Sequence, residues 1–173
     1  GSRMILVTGG AGFIGSQVVS ALVARGEEVV VLDDFHDYYD PALKEANLAD
    51  VVDGIELVRA DLRPVDLAEV LADCQTSACL PLAPRPGVRA SLADPLTYAA
   101  VNAGGTLRLL EWCARRGVKK LVFASSSSVY GACPNLPFAE DETDLRPISP
   151  YGVSKRSAEI YLSLLAPHWD ASV

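Results

Sequence analysis

Short apolar runs rich in β-branched residues alternate along this chain with stretches whose apolar positions recur every three or four residues. The runs at 4–8, 28–32, 55–59 and 119–125 predict strands, and the helical pattern falls at 14–25, 65–72, 95–116 and 150–165. Strands that alternate with helices make βαβ units, so the pattern predicts an α/β fold with a parallel sheet. Gly26 and Gly117 stand where two of these helices should end in a C-terminal cap. One strand breaks the rhythm. Between 72 and 88 the alternation requires a buried strand, yet Pro81 has no N–H to donate, and a central parallel strand tolerates that badly. The expectation there is a short strand over 77–80 followed by irregular chain. Residues 132–148, rich in Pro and acidic side chains, predict a long surface loop, and long loops in compact domains are usually functional.

The first apolar run leads directly into Val7-Thr8-Gly9-Gly10-Ala11-Gly12-Phe13-Ile14-Gly15 and then into a helix. A glycine fingerprint between strand and helix is the setting of a dinucleotide site. Gly permits turn angles other residues avoid, lets the main chain approach a pyrophosphate, and lets helix and strand pack closely. Gly10, Gly12 and Gly15 satisfy G-x-G-x-x-G, and Gly9, Gly12 and Gly15 satisfy the variant with one more residue between the first two glycines. The helix N-terminus would present free N–H groups and a positive dipole end to the phosphates. The second run ends at Asp33, about 20 residues on, where an acid would accept from the ribose hydroxyls. Standing alone, Asp33 would read as a solvated residue at a strand end. Asp34 adds a second negative charge with no Arg or Lys close by in sequence, which favours NAD over NADP because a 2′-phosphate would be repelled. The fold class predicted is therefore a Rossmann-type doubly wound parallel sheet.

Composition narrows the class. The 173 residues suffice for one domain with a proper core and are too few for two, and half of them are hydrophobic. A net charge of -7 argues against nucleic acid or an anionic membrane surface as partner. No apolar run approaches a membrane span, so a cytoplasmic location is the default expectation. Gly1-Ser2 ahead of Arg3-Met4 looks like an expression scar, which leaves 4–173 as the domain. Cys74, Cys79, Cys113 and Cys133 lack metal-ligand spacing, so the expectation is no metal site and small buried thiols in a reducing compartment.

A second constellation lies downstream. The last strand candidate runs into Ser125-Ser126-Ser127-Ser128-Val129-Tyr130-Gly131, and the last helix opens with Tyr151-Gly152-Val153-Ser154-Lys155. Four residues apart, Tyr151 and Lys155 share a helix face. A phenol is ordinarily a poor base at neutral pH, and a nearby ammonium favours the phenolate, so the pair suits proton transfer. A serine hydroxyl could hold the substrate oxygen beside it. A lone Tyr-x-x-x-Lys is common, and a serine run is often only a polar turn.

With the fingerprint and this order along the chain, the sequence resembles the extended short-chain dehydrogenase/reductase family, and within it the nucleotide-sugar 4-epimerases. The resemblance also rests on Asp33-Asp34-Phe35, Ala60-Asp61-Leu62, Gly87-Val88-Arg89-Ala90-Ser91 and Asn102-x-x-Gly105-Thr106. The segment Asp37-Tyr38-Tyr39-Asp40-Pro41-Ala42-Leu43-Lys44 and the four serines look especially like UDP-glucuronate 4-epimerases. The resemblance implies Tyr151 as the acid/base, Lys155 at the nicotinamide ribose and Ser126, five residues before Gly131, as the catalytic hydroxyl. It implies NAD contacts from Gly9, Gly12, Phe13, Ile14, Gly15, Asp33, Asp34, Asp61, Leu62, Ala83, Asn102, Tyr151 and Lys155, and contacts to a UDP-sugar from Arg89, Ser127 and Ser128. Family dehydratases carry Asp and Glu after the catalytic hydroxyl, and decarboxylases carry a Glu at the second position. Here Ser127 and Ser128 stand there, which leaves redox at one carbon, the sugar C4.

Two departures qualify the expectation. Pro81-Leu82-Ala83-Pro84 replaces the usual His-Leu-Ala-Ala, and family members are roughly twice as long, with a later substrate lobe that is absent here. A non-catalytic NAD-binding module and an NAD-dependent reductase of a small carbonyl substrate therefore stand as alternatives. The resemblance also implies a homodimer paired through helices around 102–116 and 150–165, with stripes such as Leu107, Leu110 and Cys113, or Ile160, Leu164 and Leu165.

Overall fold

The computed structural model describes residues 4–38, 40–63, 66–72 and 74–173. The expected scar at 1–3, Tyr39 and the helix start expected at Val65 lie outside the described residues. Strands β1 (Met4–Thr8), β2 (Val29–Asp33), β3 (Ile55–Arg59), β4 (Thr76–Pro81) and β5 (Lys120–Leu121) form one parallel sheet in the order β3-β2-β1-β4-β5. The strand order reverses between β1 and β4. In open α/β sheets the crevice at such a reversal, at the carboxyl ends of the strands, is where ligands bind.

Helices cover both faces: α1 (Phe13–Ala24), α2 (Pro41–Leu48), α3 (Leu67–Val70), α4 (Val88–Ala93), α5 (Pro95–Tyr98), α6 (Thr106–Arg115) and α7 (Pro150–His168). Alternate strand residues feed two cores. Leu6, Val30 and Leu32 pack with Leu109, Leu110 and Leu162, whereas Val7, Val29 and Val31 pack with Val19 and Leu48. Burial on both faces is why these strands read as unbroken apolar runs. Truncating Leu110, which is almost wholly buried, to Ala would cost about 2–5 kcal/mol.

Several elements differ from expectation, two of them neighbouring strands. The strand expected over 119–125 pairs only at Lys120 and Leu121, and the expected short strand at 77–80 extends through Pro81. Both follow from one geometry. The Leu82 N–H donates to the Thr8 carbonyl on the β1 side (2.9 Å), so the Pro81 nitrogen, one residue earlier, faces β5. There the ladder ends with the Val122 N–H on the Cys79 carbonyl (3.0 Å). Proline is accommodated because its missing donor falls where pairing stops, and pairing stops because it is missing. Among the described residues, Ser172 bonds the other flank of β5, through the Leu121 N–H to the Ser172 carbonyl and the Ser172 N–H to the Lys119 carbonyl (2.9 Å each).

The helix expected over 95–116 is α5 and α6 joined by a π-helical stretch, Ala99–Gly105. The expected 65–72 helix is described only over Leu67–Val70, and α7 runs three residues beyond 165. Helices α2 and α4 were not expected. For α2 the signal was present, since Asp40 caps it by accepting from the Ala42 N–H (2.9 Å) and Pro41 opens it. Gly26 and Gly117 do cap helices in the left-handed region, at φ +78° and +68°. The 132–148 stretch is a loop, tied by a bridge between Gly131 and Arg146. In the stripe Leu107, Leu110 and Cys113, the last two are buried against the protein's own sheet, so α6 offers no apolar docking face there, whereas Ile160 and Leu164 on α7 are exposed.

Candidate active site and cofactor cleft

The turn between β1 and α1 decides between the two glycine registers. Gly9 sits at φ +70°, and a Cβ there would lie 2.2 Å from the Leu82 carbonyl oxygen; at Gly15 it would lie 2.1 Å from the Gly9 oxygen. Gly12 is the helix N-cap, and no side chain caps the helix. Gly9, Gly12 and Gly15 are thus the working set, and Gly10 instead packs on Val31. The side chains of Phe13 and Ile14 are 81% and 64% exposed. The open first turn and the positive end of the α1 dipole therefore form the cleft floor, a cradle suited to a pyrophosphate.

Asp33 ends β2 with its carboxylate 3% exposed. Its Oδ2 accepts from the Ala11 N–H (3.1 Å), and its Oδ1 accepts from the Phe35 N–H (2.9 Å) and from Lys44 Nζ (2.8 Å). Lys44 also lies 3.7 Å from Asp34 Oδ1. No Arg or Lys adjoins these acids in sequence, but α2 carries Lys44 back, eleven residues on, to the strand end. Asp61 is gripped by Arg63, whose backbone N–H and guanidinium both donate to it, and that pairing holds the carboxyl below its ordinary range.

Across the cleft, the chain after β4 is fixed by Asn102. From the π-helical stretch, its buried amide accepts from the Arg85 N–H (2.8 Å) and donates to the Arg85 carbonyl (3.0 Å) and to Ser154 Oγ (3.2 Å). Local π geometry in a helix frequently marks a functional position. Here the stretch carries Asn102, whose amide meets both polar groups of the Arg85 backbone. Tyr38 reaches over from the β2 side, its hydroxyl so near Gly87 that a Cβ there would lie 2.6 Å away, and Tyr98 donates to the Pro86 carbonyl (2.6 Å).

Helix α7 begins with Ser149, whose Oγ accepts from the Gly152 N–H (3.0 Å), and with Pro150. Tyr151 is half-buried, its ring edge-on to Tyr98 at 6.3 Å. Lys155 is buried, donates to the Ala124 carbonyl and lies 4.4 Å from the Phe123 ring centroid. Burial pulls its pKa down to about 8, with Glu159 opposing the shift. Gly152 lets the serine turn come close, for a Cβ there would stand 2.6 Å from the Ser128 carbonyl oxygen.

One cleft of about 330 Å³ gathers Gly9, Gly12, Phe13, Ile14 and Gly15 on its floor and Asp33, Asp34, Asp61 and Leu62 at one end. Ala83, Tyr151 and Lys155 complete its walls. Asn102 stands behind the wall as a positioning residue. The serine face departs most from expectation. Ser126 Oγ accepts from the Ser128 N–H (3.1 Å) and caps a 3₁₀ turn, Ser127–Val129, so it is Ser125 that lines the cleft. Ser127 and Arg89 are exposed and Ser128 half-buried, none of them on the cleft wall. Sequence reasoning missed Lys44, Tyr38, Arg85 and Ser125 as cleft residues.

Residues 5–171 match the NAD dependent epimerase/dehydratase family. UDP-glucuronate 4-epimerase 1 of Arabidopsis thaliana is 41% identical over 162 residues, which are 92% of this chain and 38% of that protein. The UDP-glucose 4-epimerase of Mycolicibacterium smegmatis is 40% identical over 166 residues, 95% of this chain and 52% of that one. Among solved structures, the UDP-glucose 4-epimerase of Thermus thermophilus in complex with NAD superposes with a TM-score of 0.84 at 38% identity, covering 98% of this chain and 52% of that one. The UDP-glucuronic acid 4-epimerase of Bacillus cereus, with UDP-glucuronic acid and NAD, gives 0.85 at 34% identity, covering 98% and 54%. The chain thus spans about half the length of these solved relatives.

Proposed function

The chain belongs to the NAD dependent epimerase/dehydratase family, and we propose that it is the NAD-binding portion of a nucleotide-sugar 4-epimerase acting on a UDP-sugar. The observation that carries this reading is that Tyr151 and Lys155 share one cleft with the glycine turn and Asp33. The residues present suit the cofactor: an uncapped helix end behind glycines for the pyrophosphate, and an acid at the end of β2 for the ribose. Bound there, NAD supplies hydride acceptance and return at the sugar C4. Tyr151 takes the C4 hydroxyl proton and gives it back, while Lys155, anchored on the Ala124 carbonyl, brings positive charge to the same wall. Ser126, whose Oγ accepts from the Ser128 N–H and so keeps its own O–H to donate, holds the reacting oxygen. Ser127 and Ser128 add no carboxylate for elimination or decarboxylation, which keeps the chemistry at one carbon.

Assembly is part of the proposal. Val153, Ile160 and Leu164 lie exposed along one face of α7, and Leu92 and Leu96 are exposed nearby on α4 and α5, helices that contact α7. Such a patch suits a homodimer, and light scattering that showed only monomer at high concentration would remove it. Cys74, Cys79, Cys113 and Cys133 are all buried, as small thiols kept in a reducing compartment such as the cytoplasm would be. Among the described residues no helix is long and apolar enough to cross a membrane.

Calorimetric titration tests the cofactor assignment. The chain should bind NAD saturably at one site. Gly12→Asp places a favourable N-cap carboxylate against the pyrophosphate, so it should keep the fold yet weaken binding by about tenfold or more. No NAD binding by the native chain would overturn the reading.

A further inference from the structure

Tyr98 joins two walls of the cleft. It ends α5, whose single turn is opened by Pro95 and capped by Asp94, which accepts from the Thr97 N–H (3.3 Å). The residue is only 3% exposed, and a phenol buried that deeply needs a partner for its hydroxyl. That partner is the Pro86 carbonyl, which accepts from it at 2.6 Å. Burial raises the Tyr98 pKa, so the phenol stays protonated at neutral pH and remains a donor. Its ring meets the ring that the proposed chemistry uses. Tyr151 stands perpendicular to it, with the centroids 6.3 Å apart.

Tyr151 lies in the first turn of α7, directly behind Pro150, where the Ser149 cap fixes the backbone. A cap does not choose the χ angles of a half-buried ring, which are decided by what packs against it. An edge-to-face pair favours one ring orientation over its alternatives. Four residues beyond Tyr98, Asn102 repeats the same two contacts. Its amide holds both polar groups of the Arg85 backbone and donates to Ser154 Oγ (3.2 Å), which in turn donates to the Tyr151 carbonyl (2.8 Å). The stretch from Tyr98 to Asn102 therefore grips the loop after β4 at Arg85 and Pro86, and reaches Tyr151 at its ring and, through Ser154, at its carbonyl.

We propose that Tyr98 is a positioning residue for Tyr151: its ring sets the orientation of the Tyr151 ring on the cleft wall, and its hydroxyl ties that orientation to the loop after β4. This role presupposes Tyr151 as the acid/base proposed above. Three-bond NMR couplings across the Tyr151 Cα–Cβ bond test it, because they report the χ1 angle directly, with the Tyr151 signals assigned by their loss in Tyr151→Phe. The native chain should hold one staggered rotamer. Tyr98→Phe keeps the ring and should keep that rotamer, while NAD affinity falls by about two- to tenfold, the loss expected for one hydrogen bond that steadies the loop. Tyr98→Leu removes the ring, and the couplings should average over two or more rotamers. Native couplings retained in Tyr98→Leu, or averaged ones in the native chain, would overturn the positioning role, and unchanged NAD affinity in Tyr98→Phe would overturn the tie to the loop. Should Tyr98→Leu not fold, the native protein still decides. Nuclear Overhauser contacts between the two rings must be present with and without NAD, and their absence rejects the proposal. A native chain that binds no NAD sinks the cofactor reading and leaves the couplings to be judged as before, whereas averaged couplings in a chain that binds NAD remove only the role of Tyr98.

Discussion

Lys155 is the most heavily desolvated cation in the cleft, and its charge has a measurable cost. Burial moves its pKa from the ordinary 10.5 down to about 8, with Glu159 pulling the other way. Folding therefore disfavours the ammonium. The penalty is present in full below about pH 8, fades as pH rises, and is gone above the unfolded value, because the native state binds fewer protons in that window. A shift of this size amounts to about 3 kcal/mol. Native stability measured against that of Lys155→Met should accordingly rise between pH 8 and 10.5, and denaturant melts across that range would show it. A flat difference would mean that the Ala124 carbonyl and the Phe123 ring fully offset the desolvation. The role of such a residue is legible in sequence because Tyr151 and Lys155 share a helix face by spacing alone. Lys44 was not legible, since its contact with Asp33 depends on how α2 folds back, which no local pattern states. That Ser126 caps the turn while Ser125 lines the cleft was not legible for a related reason: a run of four serines does not say which hydroxyl will do which.

Between residues and the whole protein, the elements that position the site are the ones that depart from regular geometry. The π-helical stretch Ala99–Gly105 presents Asn102 to both polar groups of the Arg85 backbone, and so fixes the loop that approaches Gly9 from the far side of the cleft. Asn102→Ala would leave a buried N–H and a carbonyl without partners and free that loop. The expected loss is about 2–4 kcal/mol of stability, since each stranded group costs about 1–3 kcal/mol. Weaker NAD binding should accompany it. Denaturant unfolding and NAD titration of one preparation would check both, and a variant as stable as the native chain would show that water substitutes for the amide. The strand–helix alternation announced the parallel sheet and most of the helices, because apolar periodicity reports which face of an element is buried. It does not report what stands beside an element. Thus β5 was expected to be seven residues and pairs over two, its ladder ended by a proline on the neighbouring strand.

At the scale of the whole molecule, holding the cofactor and turning over a sugar are separable. The cleft brings the glycine turn, Asp33, Tyr151 and Lys155 to one wall, but Arg89, Ser127 and Ser128, expected to meet the sugar nucleotide, are not gathered on it. Catalysis at C4 needs the sugar held against the nicotinamide, and such positioning is worth about 7–11 kcal/mol, much of it drawn from contacts remote from the reacting bond. This chain covers 52% of the Thermus thermophilus epimerase and 54% of the Bacillus cereus one, so about half of what those enzymes fold around their ligands has no counterpart in these 173 residues. We therefore expect the chain, supplied with NAD, to bind the cofactor and yet not to interconvert UDP-glucose or UDP-glucuronate with their C4 epimers at a useful rate. Loss of even half of the positioning energy slows a reaction by about three orders of magnitude or more. Proton NMR of each sugar nucleotide incubated with the chain would decide it. Turnover that vanished in Tyr151→Phe would show that the residues on this cleft wall suffice to hold the sugar, or that a second copy of the chain supplies the missing contacts.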